Sequence, residues 1–252
     1  MRRPREFLRG VRETKKARYA VAILVNRSFR SALMVRLAGI PVRVGHVGEG
    51  RAALLTHPVP YDENRSEIEC FMDLGRAVGV DSDCLEPRLD VTADERASCP
   101  LDAGAEWVGV QPGARNLERK VPTEILVEAA RALRERGMRI ALFGGAEERG
   151  SATEFGDLLG GDRCDLVGRC DLRQTMGALT HMKLIVGGDT GLMHVAAAVG
   201  CPTVTVFGAI PASKWGHHYE PHAVIQAPHN DLSMVDPQTI VEAAFSIRSC
   251  KH

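Results

Sequence analysis

Short apolar runs recur along the chain, and each is followed by a turn and then by a helical pattern. The runs over 19–25, 107–110, 139–143 and 184–186 are largely apolar rather than alternating. Continuous runs of this length predict strands that are buried on both faces of a parallel sheet. Because these strands alternate with helices, the sequence predicts an α/β fold with doubly wound parallel sheets.

The clearest strand–turn–helix–strand unit runs over 184–206. A buried strand at 184–186 breaks at the turn Gly-Gly-Asp-Thr-Gly, which occupies 187–191. An apolar helix follows the turn, and Gly200 with Pro202 just beyond it predicts the end of that helix. A second buried strand then completes a βαβ unit with a tight first turn.

The turn at 187–191 predicts an anion site. The free amides and the positive dipole end at 191–193 suit a phosphate or diphosphate. His194 falls in the first helical turn, where its side chain can lean back toward that anion. The alternative is that Asp189 and Thr190 are only helix caps and that His194 is only a surface residue.

Two further strands of the second half also end in glycine-bearing turns. The three turns occupy 112–114, 144–147 and 187–191. In a doubly wound parallel sheet these turns lie on one edge, where nucleotides bind. Lys120 and Arg115 supply positive charge near that edge, and Glu147 supplies a carboxylate of the kind that holds ribose hydroxyls.

The first half repeats the βαβ pattern more weakly. Asn26 and Ser28 follow its first strand, at the strand end where ligands of open sheets bind, although both residue types are also good N-caps. Residues 79–104 are typical of a linker, which places a domain boundary near residue 100. The expected domains are therefore 1–100 and 101–252.

Charge and composition limit the class of protein. The net charge is zero over 252 residues, which gives no general case for nucleic-acid binding. No apolar run approaches the roughly 18–20 residues of a membrane span, and the first residues lack the apolar core of a signal peptide. The seven cysteines are scattered without zinc spacing. Reduced thiols, and hence a cytoplasmic protein, are the expectation.

The amino-terminal segment is strongly basic. Residues 1–18 hold eight Lys or Arg and two Glu, and Phe7, Leu8 and Val11 can line one side of a helix. Such a helix can rest on anionic lipid, but its thin apolar stripe favours a solvated helix packed on a neighbouring one.

Several common sites are excluded by their missing motifs. No dinucleotide GxGxxG, P-loop or GxSxG elbow is present. The histidines at 217, 218, 222 and 229 lie near prolines and lack the spacing of a helical metal site. They are expected to be surface-loop residues rather than metal ligands.

Four segments together resemble the bacterial ADP-heptose–lipopolysaccharide heptosyltransferases. They are ARYAVAILVNRSFRSALMVRLAGIPVRVGH at 17–46, QPGARNLERKVPTE at 111–124, LFGGAEE at 142–148 and GGDTGLMHVAAAVGCPTVTVFGAIPASKWGHHYEP at 187–221. The resemblance implies a GT-B architecture of two Rossmann-like domains. It also implies an inverting transfer without metal or cofactor, from an ADP-sugar bound by the second domain to the lipopolysaccharide inner core bound by the first. The enzyme would work in the cytoplasm, with possible peripheral contact at the inner face of the inner membrane.

The resemblance also assigns roles to individual residues. The donor side comprises Lys120 at the phosphates or ribose, Glu147 at the ribose, Thr190 and Gly191 at the diphosphate, Asp189 at the sugar hydroxyls and His194 beside the phosphates. Asn26 and Ser28 are the acceptor-side candidates.

The chain departs from the family pattern at its start. Only about 18 residues precede the first strand, whereas the family opens with a further glycine turn that carries the acidic general base. The expectation is an incomplete first domain with an exposed apolar edge. Three explanations stay open. The start is assigned late or trimmed, the chain is a non-catalytic nucleotide-sugar-binding paralogue, or another carboxylate, Asp62 or Glu49, acts as base.

Overall fold

The computed structural model describes residues 4–99, 101–102 and 104–248. The chain divides into two compact units, Met1–Leu85 and Glu86–His252. In the described part of the chain, none of the helices is both long and apolar enough to span a bilayer. Each unit is an α/β structure with a parallel sheet, as the apolar pattern predicts.

The first unit is a three-stranded parallel sheet with its helices. In chain order the elements are α1 (Pro4–Lys16), β1 (Val21–Leu24), α2 (Phe29–Leu37), β2 (Val42–His46), a 3₁₀ turn (Arg51–Leu54), β3 (His57–Val59) and α3 (Glu67–Arg76). The strand order is β1-β2-β3, with β1 at one edge.

The edge strand β1 leaves one apolar face open. Val21 and Ile23 are each 45% exposed, whereas Ala22 and Leu24 on the opposite face pack against the small core around Val35. In the described part of the chain, β1 is thus an edge strand with one exposed apolar face. An edge of this kind keeps unpaired backbone donors and acceptors available to solvent.

Helix α1 packs on its neighbour α2. Gly10 faces the sulfur of Met34 closely, since a Cβ at Gly10 would lie 3.4 Å from that atom. The guanidinium of Arg30 lies 5.1 Å from the centre of the Phe7 ring. The favoured alternative for the basic segment, a solvated helix packed on its neighbour, is therefore what the structure contains.

The second unit is larger and doubly wound. Its elements are α4 (Ala93–Ala97), β4 (Trp107–Val110), α5 (Thr123–Glu135), β5 (Arg139–Leu142), α6 (Arg149–Leu159), β6 (Cys164–Asp165), α7 (Leu172–Leu179), β7 (Met182–Gly188), α8 (Gly191–Ala198), β8 (Thr203–Phe207), α9 (Ala212–Trp215), β9 (His222–Gln226) and α10 (Pro237–Arg248). The strand order is β6-β5-β4-β7-β8-β9, and every neighbouring pair is parallel. The order reverses between β4 and β7, which is the point where ligands bind in such sheets.

Hydrophobic cores lie on both faces of the second sheet. On one face α5, α6 and α10 pack through Leu126, Phe155 and Ile240 against side chains of the central strands. On the other face α7 and α8 pack through Leu179 and Met193. Both faces are covered, which explains why the central strands are apolar without alternation.

The division between the two compact units lies inside the linker segment 79–104, after Leu85. Leu89 already donates its amide to the carbonyl of Ala198, at 2.8 Å. Further along, Glu95 on α4 forms an ion pair with Arg173 on α7, and this contact lowers the pKa of Glu95 to about 2. These residues therefore belong to the second unit, because their hydrogen bonds and charges are satisfied there.

Gly177 makes the contact between α4 and α7 possible. A Cβ at this position would collide with the backbone carbonyl of Glu95. We expect Gly177→Ala to destabilise the second unit by about 1–3 kcal/mol, since overpacking against backbone forces a shift. Urea unfolding followed by tryptophan fluorescence measures this, because both tryptophans, Trp107 and Trp215, lie in the second unit.

The matched control is Gly150→Ala in α6. A Cβ at Gly150 meets no atom within 4 Å. Alanine there should leave the stability unchanged or raise it by up to about 1 kcal/mol. Equal stability of the two variants would contradict the packing argument.

Candidate functional site

A cleft opens at the carboxyl ends of β4, β5 and β7, where the strand order reverses. It consists of two adjoining cavities of about 510 and 440 Å³ that share Arg115, Thr190 and Gly191 in their walls. The first cavity is also lined by Ala114, Asn116, Arg119 and Asp189. The second includes Gln111, Gly144, Gly145, Glu147, Glu148 and Leu192. The three glycine turns thus meet at one edge, as predicted.

Gly188 allows two backbone segments to approach closely. A side chain at this position would collide with the carbonyl oxygen of Arg119. A Cβ at Gly187 would lie 3.1 Å from Gln111, whereas Gly191 faces open space. The first two glycines therefore serve packing of the loops, and Gly191 leaves the start of α8 accessible from the cleft.

A buried hydrogen-bond network joins the three turns. Gln111 is 4% exposed, and its amide nitrogen donates to Oε1 of Glu148 at 3.2 Å. Its amide oxygen accepts from the hydroxyl of Thr190 at 2.5 Å. Oε2 of Glu148 in turn accepts from the amide of Gly145 at 2.8 Å. Each turn is therefore fixed to the next by a side chain whose polar groups are satisfied.

The amino terminus of α8 has no side-chain cap. Thr190 occupies the N-cap position, but its hydroxyl is used by Gln111. The amide of Met193 donates to the carbonyl of Thr190. The capping alternative is therefore wrong for Thr190, and the helix start presents the amides of Gly191 and Leu192 toward the cleft without a competing side chain.

Asp189 is held by an arginine rather than by the helix. Its side chain is only 3% exposed, and its Oδ2 lies 3.1 Å from Nη1 of Arg119. The same nitrogen is 3.4 Å from the backbone oxygen of Asp189. The buried Nε of Arg119 has no hydrogen-bond partner. A buried carboxylate needs such a counter-charge, so Asp189 also fails to cap α8.

Lys120 lies outside the cleft walls. Its Nζ donates to Oε2 of Glu154 on α6 at 3.1 Å, and the hydroxyl of Thr123 donates to the same oxygen. These contacts lower the pKa of Glu154. The cations that line the cleft are Arg115 and Arg119. The sequence analysis gave Arg115 and Lys120 as the cations near this edge and did not single out Arg119, because adjacent residues of a loop cannot be assigned to opposite sides from spacing alone.

Glu147 and His194 complete the predicted set. Glu147 is exposed in a short 3₁₀ turn after β5 and lines the second cavity. Nε2 of His194 lies 3.7 Å from Oδ1 of Asp189, and its Nδ1 lies 3.0 Å from Nε2 of His217. Asp189 thus lies between a cation and an imidazole.

The histidine cluster is only partly a surface loop. His217 is 3% exposed, and burial together with the neighbouring imidazoles lowers its pKa to about 3. His222 begins strand β9, where burial lowers its pKa to about 4. His218 and His229 are exposed, as expected. In the ranges that the structure describes, no group of three potential ligands is placed to hold a metal ion.

Asn26 and Ser28 lie beyond the carboxyl end of β1 in the first unit. Ser28 is the N-cap of α2 without a side-chain capping bond, and its amide lies 3.4 Å from Oδ1 of Asn26. The buried Arg51 donates to the carbonyls of both residues, at 2.6 and 3.4 Å. Glu49 and Asp62 follow β2 and β3, so they belong to the same edge of this sheet.

The comparison with protein families decides the family. The model of glycosyltransferase family 9, described as heptosyltransferase, matches residues 7–240. The chain belongs to glycosyltransferase family 9. Among the relatives of this family 9 protein, lipopolysaccharide heptosyltransferase 2 of Escherichia coli K12 is 31% identical over 212 residues, which are 77% of this chain and 61% of that protein. The corresponding Salmonella typhimurium LT2 protein is 28% identical over 93% of this chain and 77% of its own length.

Solved structures agree on the fold. The structure of E. coli ADP-heptose lipopolysaccharide heptosyltransferase II superimposes with a TM-score of 0.82 and 26% identity, over 98% of this chain and 81% of that one. A family 9 glycosyltransferase from Veillonella parvula gives a TM-score of 0.87 at 15% identity, over 100% and 81%. The expected α/β class with parallel sheets, of the GT-B heptosyltransferase type, is confirmed.

The buried histidines make the second unit sensitive to acid. In the unfolded chain a histidine titrates near its ordinary pKa, roughly 6.5, whereas folded His217 and His222 stay neutral to about 3 and 4. Below about pH 6 the unfolded chain therefore binds protons that the folded chain excludes. Stability should fall as the pH falls, by about 1.4 kcal/mol per pH unit for His217 and by less for the half-buried His222, whose charge solvent screens.

Urea unfolding by tryptophan fluorescence between pH 7 and 4.5 measures this dependence. His217→Gln should remove about 1.4 kcal/mol per pH unit from the slope between pH 5.5 and 4.5. His218→Gln, at an exposed neighbouring position, should keep the slope of the parent protein. A slope that is the same in both variants would show that His217 is not held neutral by the fold.

Proposed function

We propose that the second unit binds an ADP-sugar in the cleft and that the protein transfers a heptose, or a related sugar, to the inner core of lipopolysaccharide. The observation that carries the proposal is the Asp189-Thr190-Gly191 turn, which presents an uncapped helix start beside Arg119 at the reversal of strand order. Family membership supports the reaction class, and the E. coli relative carries ADP-heptose in its name.

The diphosphate is assigned to the start of α8. The amides of Gly191 and Leu192 and the helix dipole offset its negative charge. Arg119 is the cation beside this position, and its side chain is 38% exposed, so its guanidinium is accessible to an anionic ligand. Glu147, in the wall of the second cavity, is assigned to the ribose hydroxyls. In this proposal Arg119 takes the role that the resemblance gave to Lys120, and Asp189 holds Arg119 in place.

The transfer itself is proposed to invert the anomeric centre. A base removes the proton of an acceptor hydroxyl, whose oxygen bonds to the anomeric carbon while the bond to the diphosphate oxygen breaks. ADP leaves with that electron pair, and its growing charge is stabilised by the helix start and Arg119. These groups supply the positive charge that a metal ion supplies elsewhere, so we propose that neither metal nor cofactor is needed.

The acceptor is assigned to the first unit. Asn26 and Ser28 follow β1, and the carboxylates Glu49 and Asp62 follow β2 and β3. We propose these two carboxylates as the candidates for the general base. The buried Arg51 fixes the loop that holds Asn26 and Ser28 through its bonds to their carbonyls.

Nucleotide binding tests the donor site directly. By calorimetry, ADP should bind in preference to UDP and GDP. Arg119→Gln should weaken ADP binding roughly 10- to 100-fold, because a hydrogen bond to a charged group contributes about 1.5–3 kcal/mol. Lys120→Gln is the matched control. It removes the same charge from the neighbouring residue and should change affinity less than threefold.

If Lys120→Gln weakens ADP binding more than Arg119→Gln does, the phosphate contact belongs to Lys120. Failure of every nucleotide to bind would overturn the proposal. Turnover is tested separately with ADP-heptose and a deacylated lipopolysaccharide core, with and without a chelator. Selective ADP binding without transfer, by a folded chain, would support the non-catalytic alternative instead.

We further propose peripheral contact with an anionic membrane through α1. Its half-buried side, with Phe7 and Val11, packs on α2. The opposite side exposes a row of cations, namely Arg5, Arg9, Arg12 and Lys16. Contact would therefore be electrostatic rather than by insertion of an apolar face.

Vesicle co-sedimentation tests this contact. The protein should bind phosphatidylglycerol vesicles and not phosphatidylcholine vesicles. Replacing Arg5, Arg9 and Arg12 by Gln should weaken binding roughly 100-fold at low salt, at about 1 kcal/mol for each basic residue.

The control variant removes three positive charges from the second unit instead of from α1. Replacement of the partly exposed Arg88, Arg169 and Lys183 of the second unit by Gln should have little effect. Equal losses in the two triple variants would show that net charge, and not α1, governs binding.

A further inference from the structure

His217 is buried beside the donor site without a role in the proposed chemistry. It lies between α9 and β9, and its ring meets the ring of His194 edge-on, with centroids 4.9 Å apart. Its Nε2 is 3.0 Å from Nδ1 of His194. The rings of Tyr219 and His222 pack on it from other sides, at 5.8 and 5.3 Å. A buried polar side chain is expected to have a hydrogen-bond partner, and here that partner is His194.

The charge state of His217 follows from its surroundings. Burial, together with the imidazoles of His194, His222 and His218, lowers its pKa to about 3. At neutral pH it therefore carries one ring proton and no charge. Where two imidazoles face each other through one nitrogen each and share one proton, one ring donates and the other accepts.

The other nitrogen of His194 indicates which ring donates. Nε2 of His194 lies 3.7 Å from Oδ1 of the buried Asp189, which is too far for a hydrogen bond, so the carboxylate biases the tautomer without fixing it. A carboxylate favours a proton on the nitrogen that faces it and disfavours a lone pair there. With the proton on Nε2, Nδ1 of His194 has a free lone pair and accepts. The bond to His217 must then be donated by His217.

We propose that His217 is a positioning residue that donates its Nε2–H to Nδ1 of His194 and holds His194 in the tautomer with the proton on Nε2. The ring of Trp215, with its centroid 6.0 Å from that of His194, limits rotation from another side. His194 then offers an N–H donor next to Asp189, one helical turn from the amides of Gly191 and Leu192. This proposal rests on the proposed function in one respect only, which is that the ligand near His194 is taken to be the diphosphate.

The tautomer can be observed without any ligand. In protein labelled with ¹⁵N-histidine, long-range proton–nitrogen correlation spectra at neutral pH distinguish a protonated Nε2 from a protonated Nδ1. We expect His194 in the parent protein to carry its proton on Nε2. A proton on Nδ1 would overturn the proposal whether or not any variant folds.

Two variants of one position separate the hydrogen bond from packing. His217→Gln keeps an N–H donor near the place of Nε2, and His217→Phe keeps a ring but no donor. We expect His194 to hold its tautomer in the Gln variant and to become a mixture of tautomers in the Phe variant. ADP affinity should fall roughly tenfold in the Phe variant and less than threefold in the Gln variant. An unchanged tautomer in a folded Phe variant would overturn the proposal.

His218→Gln is the matched control. Its Nε2 contacts the carbonyl of Ala212 at 2.9 Å, so its loss should change neither the tautomer of His194 nor ADP affinity.

The two proposals fail in different ways. If the parent protein binds no nucleotide, the proposed function fails while the tautomer of His194 still tests the role of His217. If ADP binds but the Phe variant keeps both tautomer and affinity, only the role of His217 fails.

Discussion

The site depends on one buried amide. Gln111 follows β4 and bonds through its nitrogen to the turn after β5 and through its oxygen to the turn after β7. Backbone bonds between the neighbouring strands continue as far as the amides of Gln111 and Phe143, and beyond them the side chain of Gln111 joins the loops. An amide supplies both a donor and an acceptor, so it can join two neighbours at once. A carboxylate or a hydrocarbon of similar size at this position would satisfy only one of them or neither.

The hydrophobic pattern predicted much of the second unit because the pattern and the fold share a cause. Strands covered on both faces must be apolar throughout, and glycine is needed where loops approach closely, as at Gly188. These requirements are local, so they are visible in the sequence pattern. The sequence pattern of the elements after residue 207 is less distinctive. Strand β9 lies at the sheet edge, is only half-buried and begins with a histidine.

The individual side chains of the site were less predictable, because their partners are distant in sequence. Whether Arg119 or its neighbour faces Asp189 depends on the path of a loop whose partner lies 70 residues away. The burial of His217 depends on rings from α8, α9 and β9 that meet only in the folded unit. Thr190 was placed at the correct helix start, yet its hydroxyl is taken by Gln111, and no spacing rule anticipates that competition. Nor does spacing show that Arg51 is buried under the loop after β1.

The contact between Gly188 and the carbonyl of Arg119 has a kinetic consequence. Because the two backbones touch directly, the loop that carries Arg119 is seated before any ligand arrives. A preorganised wall spares the ligand the entropy of ordering that loop, so more of the contact energy is retained as affinity. For the nucleotide proposed above, a wall that is already seated predicts an association rate set by diffusion and orientation rather than by loop rearrangement.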